Sequence, residues 1–262
     1  MNIYQLLKEL WEGKELTWTL FVREISSRYK QSFFGLFWVI ILPVLTLVMF
    51  MTLNKSGIIK ISTSSIPYPI YGMLGFTLWS LFSSTLSYTT ASLVNAGSMI
   101  VKINFPKSSL VLSASGIAIF EFLIRLILIL ILFLWYDFHF SLFNLFKGLI
   151  ISSFLYVLAL GIGFIFCIIA GVLRDVLIVL PIMMNVLMML TPVMYPIDSN
   201  SILGQLNLWN PLNYMVNFSR LVILDGVRIE TGLIYSVFTS IFVLFIALRF
   251  FCLAQMKIAE RI

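Results

Sequence analysis

Few residues in this chain have the type and spacing to do chemistry. Glu121 and Arg125 stand four apart in an otherwise apolar run, which puts both side chains on one helix face. Charge inside an apolar segment is costly toward lipid and turns to the interior of a bundle. Two readings of the pair stand open: a self-neutralising lock between helices, or a contact for a passing anionic or sugar ligand. The single histidine, His139, has Asp137 nearby but no further carboxylate or cysteine at ligand spacing. It supports neither a metal site nor a Ser-His-Asp set and reads as a loop residue at headgroup level. Cys167 and Cys252 fall in apolar runs and read as small buried hydrophobes. The phosphate-cradling pattern G-x-x-x-x-G-K-[ST] does not occur. No catalytic residue, cofactor or metal site is expected in the chain itself.

The elements that must position these residues follow from composition. The chain has 262 residues, of which 61% are hydrophobic and 11% charged, with a mean hydropathy of +1.06. Soluble domains hold about 45–50% apolar and about 25% charged residues, so soluble globular and disordered classes are both excluded. The net charge of +6 reads as cationic loops on one face of a membrane, not as a nucleic-acid footprint. Glu9, Glu12 and Glu15 interrupt the N-terminus, so no signal peptide is expected there.

Gaps between charges predict an all-α membrane protein with six transmembrane helices, near residues 33–53, 70–94, 108–136, 147–174, 176–195 and 233–253. The whole chain, 1–262, reads as one transmembrane domain: cytoplasmic amphipathic helices over 1–31, a six-span bundle over 33–253, and a cytoplasmic tail over 254–262. Six spans put both termini on one side. That side holds 11 Lys and Arg against 5 on the other, with Arg220 counted among the 5 and Arg125 left inside the membrane. The excess of positive charge predicts that both termini are cytoplasmic.

Within this frame several segments stand out. Ile3, Leu6, Leu7, Leu10 and Trp11, then after Gly13 Trp18, Phe21, Val22, Ile25 and Tyr29, keep the spacing of amphipathic interface helices. They read either as an anchor or as a partner-binding elbow. Residues 196–231 are too apolar for a free loop, and Asn207, Asn210, Pro211 and Asn213 break them. Two short helices dipping back into the membrane fit that pattern. Thr77, Ser80, Ser84, Ser87, Ala91 and Asn95 form a small-polar stripe, suited to close helix packing or to a channel wall. Phe34, Phe37 and Trp38 cluster at the start of the first span, and Tyr195 ends the fifth. They are either lipid-facing belt residues or flat platforms along a channel. The methionine-rich fifth span, flanked by Pro181 and Pro192, reads as core filling or as a mobile gate.

Three segments together resemble one family. Residues 23–32 read REISSRYKQS, followed by Gly35 and Trp38; residues 95–107 read NAGSMIVKINFPK; residues 191–196 read TPVMYP, with Asn210-Pro211-Leu212 and Phe218-Ser219-Arg220 beyond. In this order, over nearly the whole chain, they resemble the membrane subunit of bacterial type-2 ABC exporters of lipid-linked polysaccharide: O-antigen, capsule or teichoic acid. The resemblance implies a homodimeric permease of the bacterial inner membrane. Each copy would bind a P-loop ATPase subunit that holds ATP and Mg. It implies a coupling helix over residues 95–106, with Asn95, Met99, Ile100, Lys102, Ile103, Phe105 and Pro106, and a second cytoplasmic contact at Arg174 and Asp175. Arg23, Arg28 and Lys30 become candidates for holding the diphosphate of an undecaprenyl-type carrier, beside their plain role as cytoplasmic anchors. Pro192, Pro196, Asn210, Pro211 and Arg220 fall in its periplasmic gate segment. The rival readings are an ABC exporter of a small lipid or drug, an ATPase-independent channel or secondary transporter, and an intramembrane transferase. The last two need midplane titratable groups or a convergent acid-base cluster, and only Glu121 and Arg125 qualify.

Overall fold

Apolar segments that find no water for their backbone must close their hydrogen bonds internally, and this chain does so in helices. The structure is a computed structural model that describes residues 11–30, 35–56, 66–97, 105–195, 201–226 and 231–258. Over these residues it contains nine helices and no strand: α1 Lys14–Lys30, α2 Phe37–Lys55, α3 Tyr68–Ala96, α4 Ser108–Trp135, α5 Leu142–Val172, α6 Val176–Leu190, α7 Ile202–Asn207, α8 Pro211–Asp225 and α9 Thr231–Ile258.

Three stretches, Ser108–Trp135, Leu142–Val172 and Thr231–Ala254, are both long and apolar enough to cross a membrane. The other expected spans meet one condition each. α3 has 29 residues, but its serines, threonines and tyrosines dilute its apolarity. α2 and α6 are strongly apolar but short, over Phe37–Leu53 and Val176–Leu190. The fifth expected span runs to residue 195, whereas α6 stops at Leu190. Thr191 precedes Pro192 and takes an extended conformation, ψ 140°, which ends the helix. α5 starts at Leu142, five residues ahead of Lys147. The lysine, a good helix former, is exposed there, and its Nζ lies 4.2 Å over the Phe143 ring.

α3 is the central element, buried along most of its length between α4 and α5. It comes close to α5 where a Cβ at Gly163 would overlap Thr89 Oγ1. Thr85, Thr89 and Thr90 each donate to a carbonyl one turn back, at 2.6–2.7 Å, so their hydroxyls are satisfied in an apolar interior.

Side chains stack in layers that fix which helix ends lie together. One layer joins Leu93 near the end of α3, Leu110 and Val111 at the start of α4, Phe164 and Cys167 late in α5, Phe251 and Cys252 late in α9, and Leu20 of α1. The opposite layer joins Ile70 and Met73 at the start of α3, Ile129 and Phe133 late in α4, and Ile223 and Leu224 of α8. The α1 helix and the C-terminal part of α9 therefore share one end of the bundle with the end of α3, the start of α4 and the α5–α6 connection.

α1 docks differently from its apolar pattern. Trp18 and Val22 are exposed, and the helix faces the bundle with Leu20 and with Phe21, whose ring sits where Gly116 leaves room. The apolar residues thus divide between the bundle and the outer surface. The segment of residues 196–231 contains two short helices, α7 and α8, as its pattern suggests.

Candidate functional site

The buried ion pair sits in a larger cluster than its sequence spacing shows. Arg125 Nη2 donates to Glu121 Oε2 at 3.1 Å, one helical turn apart on α4. The other carboxylate oxygen accepts from two phenols: Tyr29 Oη of α1 at 2.9 Å and Tyr88 Oη of α3 at 2.7 Å. Burial first, and then the Glu121 carboxylate, push the Tyr29 phenol up, so it stays protonated and donates. Glu121 thus ties three helices together. Arg28 of α1 lies with its guanidinium carbon 4.2 Å from the Tyr88 ring centroid. These groups line a cavity of ≈ 390 Å³ that Ser84 of α3 and Trp38 of α2 also border. Residues from four separate sequence patterns therefore meet at one place: a basic segment, an aromatic cluster, a small-polar stripe and an intramembrane pair. Tyr29 and Tyr88 are the partners that sequence reasoning misses. Tyr88 is four residues beyond Ser84 and so on its helix face, which is the only signal it leaves.

A second constellation lies at the opposite end. Asn210 and Pro211 start α8: the Asn210 side chain accepts from Leu212 N at 3.0 Å, and Pro211 takes the first helical position, where a missing N–H costs nothing. Asn207 Nδ2 donates to the Leu190 and Leu203 carbonyls at 2.7 and 2.8 Å, and Asn210 Nδ2 to Thr191 Oγ1 at 3.2 Å. The asparagines that look like helix breakers in sequence staple the end of α6 to α7 and α8. Arg220 of α8 is fully buried. It donates to the carbonyls of Val193 at 2.8 Å and Pro192 at 3.2 Å and to Asn217 Oδ1 at 2.8 Å, and it lies 3.6 Å from the Tyr71 ring centroid. This corrects its place in the charge count: Arg220 is an interior cation held by carbonyl dipoles and a ring, not a loop cation. Leaving it out of the outer set widens the charge asymmetry. Gly75 of α3 completes the contact, since a Cβ there would overlap the Val193 carbonyl oxygen.

The remaining predicted residues separate. Arg23 and Lys30 are exposed and do not line the cavity. Phe37 is 64% exposed and points away from the bundle. Tyr195 is half-buried and its hydroxyl bonds the Met189 carbonyl. Asn95 is exposed at the end of α3, where Gly97 closes the helix with φ +40°. Phe105 and Pro106 are half-buried at the start of α4, and Arg174 and Asp175 are exposed between α5 and α6, at the same end of the bundle. Phe34, Met99, Ile100, Lys102, Ile103 and Pro196 lie outside the described residues. Among the described residues no group of three or more His, Cys, Asp or Glu stands ready to hold a metal ion.

Long apolar helices, with Glu121, Arg125 and Arg220 buried among them, define a helical integral membrane protein. The chain belongs to the ABC-2 type transporter family, whose profile matches residues 15–224 and so contains both constellations. It is 25% identical over 218 residues to the O-antigen export system permease protein RfbA of Myxococcus xanthus, covering 81% of this chain and 80% of that relative. It is 26% identical over 236 residues to the polysialic acid transport protein KpsM of Escherichia coli, covering 88% of this chain and 90% of the relative. As a permease of this family it is a membrane component and not itself the ATPase.

Proposed function

We propose that this chain is the transmembrane subunit of an ATP-driven exporter that moves undecaprenyl-diphosphate-linked polysaccharide, O-antigen first among the candidates, across the bacterial inner membrane. The observation that carries the reading is that relatives aligned over 80% or more of both chains are named for polysaccharide transport. On this reading α2, α3 and α6 join the three long apolar helices to make six spans, and both termini are cytoplasmic. α1 lies in the interface, and α7 and α8 are re-entrant from the outer side. The shared layer of α1 and the end of α9 supports a common side for the termini. The lysine and arginine excess supports the cytoplasm as that side.

The chain works as a homodimer with one P-loop ATPase bound to each copy. The segment of residues 95–106 and the Arg174–Asp175 turn meet the ATPase. ATP and Mg bound there supply the closing motion. The permease transmits it through α3, the most deeply buried helix, to the α6–α8 contact that Arg220 holds. Polymer passes between the two copies.

Purification of the tagged chain from its native membranes tests this directly. The expected result is an equimolar P-loop ATPase, lost on Met99→Asp with Ile103→Asp, and loss of surface polysaccharide when the chain is deleted. A chain that elutes intact and alone, from cells whose surface polysaccharide survives its deletion, refutes it.

A further inference from the structure

Arg125 is only 7% exposed, yet it uses a fraction of its donors. A guanidinium carries five N–H groups. Nη2 meets Glu121, while Nε and Nη1 are buried with no acceptor among the described residues. Glu121 does not serve them: its Oε1 accepts from Tyr29 and Tyr88, and its Oε2 from Arg125 Nη2 alone. A buried donor without an acceptor is costly, and a natural protein retains one where something else completes it. Arg125 lines the ≈ 390 Å³ cavity, many times the ≈ 30 Å³ a water occupies. Arg28 lines the same cavity. Its lining holds two guanidiniums and one carboxylate, with Glu24 one turn from Arg28 outside the lining, and Trp38, Val39 and Leu42 make an apolar border on the α2 side.

We propose that this cavity is a phosphate- or diphosphate-binding site. Arg125 Nε and Nη1 are its buried donors, Arg28 is its outer cation, and Glu121 fixes the Arg125 plane. Guanidinium forks match the geometry of phosphate oxygens, and a charged acceptor makes the strong class of hydrogen bond. The apolar border suits a phosphate ester with a hydrocarbon tail. The proposal rests on the export reading only for its ligand's source, a lipid diphosphate headgroup. A free diphosphate offers the same oxygens.

The test uses the full chain in phosphatidylcholine nanodiscs. One arm titrates inorganic diphosphate by calorimetry. The other adds undecaprenyl diphosphate to the bilayer and reads the shift in unfolding midpoint. The wild-type protein is expected to bind at least one probe saturably. Glu121→Gln with Arg125→Gln, which removes both charges together, is expected to weaken binding about tenfold or more, the equivalent of one strong hydrogen bond. Arg28→Gln weakens it several-fold. If the double variant does not fold, Arg125→Lys serves in its place, since an ammonium cannot supply the fork. Stabilisation by the lipid, reversed by inorganic diphosphate, assigns the headgroup as ligand. Binding of inorganic diphosphate alone assigns a soluble anion and still upholds the site. Binding of neither probe, or binding indifferent to the Arg125 variants, overturns it. ATPase co-purification and surface polymer remain separate readouts, so failure here leaves the export reading standing.

Discussion

Replacing Arg220 by lysine separates charge from geometry at the junction of α6, α8 and α3. Arg220 makes three hydrogen bonds, two to the Pro192 and Val193 carbonyls and one to Asn217, while its plane lies on Tyr71. Lysine keeps the charge, but its single nitrogen on a flexible stem cannot reach three spread acceptors and also stack on the ring. Losing two charge-assisted bonds costs about 1.5 kcal/mol each at the low end. Losing part of the ring contact, since the lysine ammonium keeps some attraction to Tyr71, adds about 0.5–1 kcal/mol. The expected loss is then about 3–4 kcal/mol. For a chain of this size each kcal/mol lowers the unfolding midpoint by roughly 2–4 °C, which gives a drop of about 6–16 °C. A thiol-reactive dye reads this well, because Cys167 and Cys252 are both buried until the fold opens. Arg220→Ala is expected to fall at least as far. A lysine variant that melts with the wild type refutes the reasoning, because it means that charge alone, and not the three-acceptor fork, holds the junction.

Gly163→Ala is expected to cost about 1–3 kcal/mol by overpacking α3 against α5, and Thr89→Gly in the same chain restores part of the midpoint, since the clash is with Thr89 Oγ1 and Cβ. Tyr29→Phe removes a hydrogen bond to a carboxylate, worth about 1.5–3 kcal/mol. It is expected to speed tryptic cleavage around Arg28 and Lys30 about tenfold or more, read by gel at equal protein. Single cysteines at Asn95 and Arg174, both exposed, are expected to label from the same side of sealed vesicles, and one at the exposed His139 from the other. Any other pairing breaks the proposed topology.

Much of the helix layout is legible in the chain because charge is scarce and marks the ends of apolar runs. The limits of α4 follow from that, while the two short helices within residues 196–231 follow from a segment too apolar for a free loop and broken by Asn207, Asn210, Pro211 and Asn213. Errors arise where local chemistry overrides the charge rule. Lys147 lies inside α5 because an exposed lysine suits a helix as well as its end, and α6 ends early because Pro192 constrains Thr191. The Glu121–Arg125 pair is legible because helix geometry dictates a four-residue contact. Its phenol partners are not, since Tyr29 and Tyr88 reach Glu121 from other helices and no spacing rule connects residues 92 and 33 positions away. Arg220 misleads for the opposite reason. An arginine between apolar segments looks like a loop cation until the carbonyls that receive it, 27 and 28 residues back, are in view.

Powered movement of a lipid-linked polysaccharide can be measured in a reconstituted system. The most direct measurement reconstitutes the chain with its co-purified ATPase in liposomes and supplies lipid-linked polymer on the ATPase-exposed leaflet. Polymer that becomes protected from an added glycosidase is then followed over time. Protection that needs ATP and the ATPase, and that Met99→Asp with Ile103→Asp abolishes, is the predicted result. Protection that proceeds without ATP, or none at all while the complex hydrolyses ATP, contradicts the account.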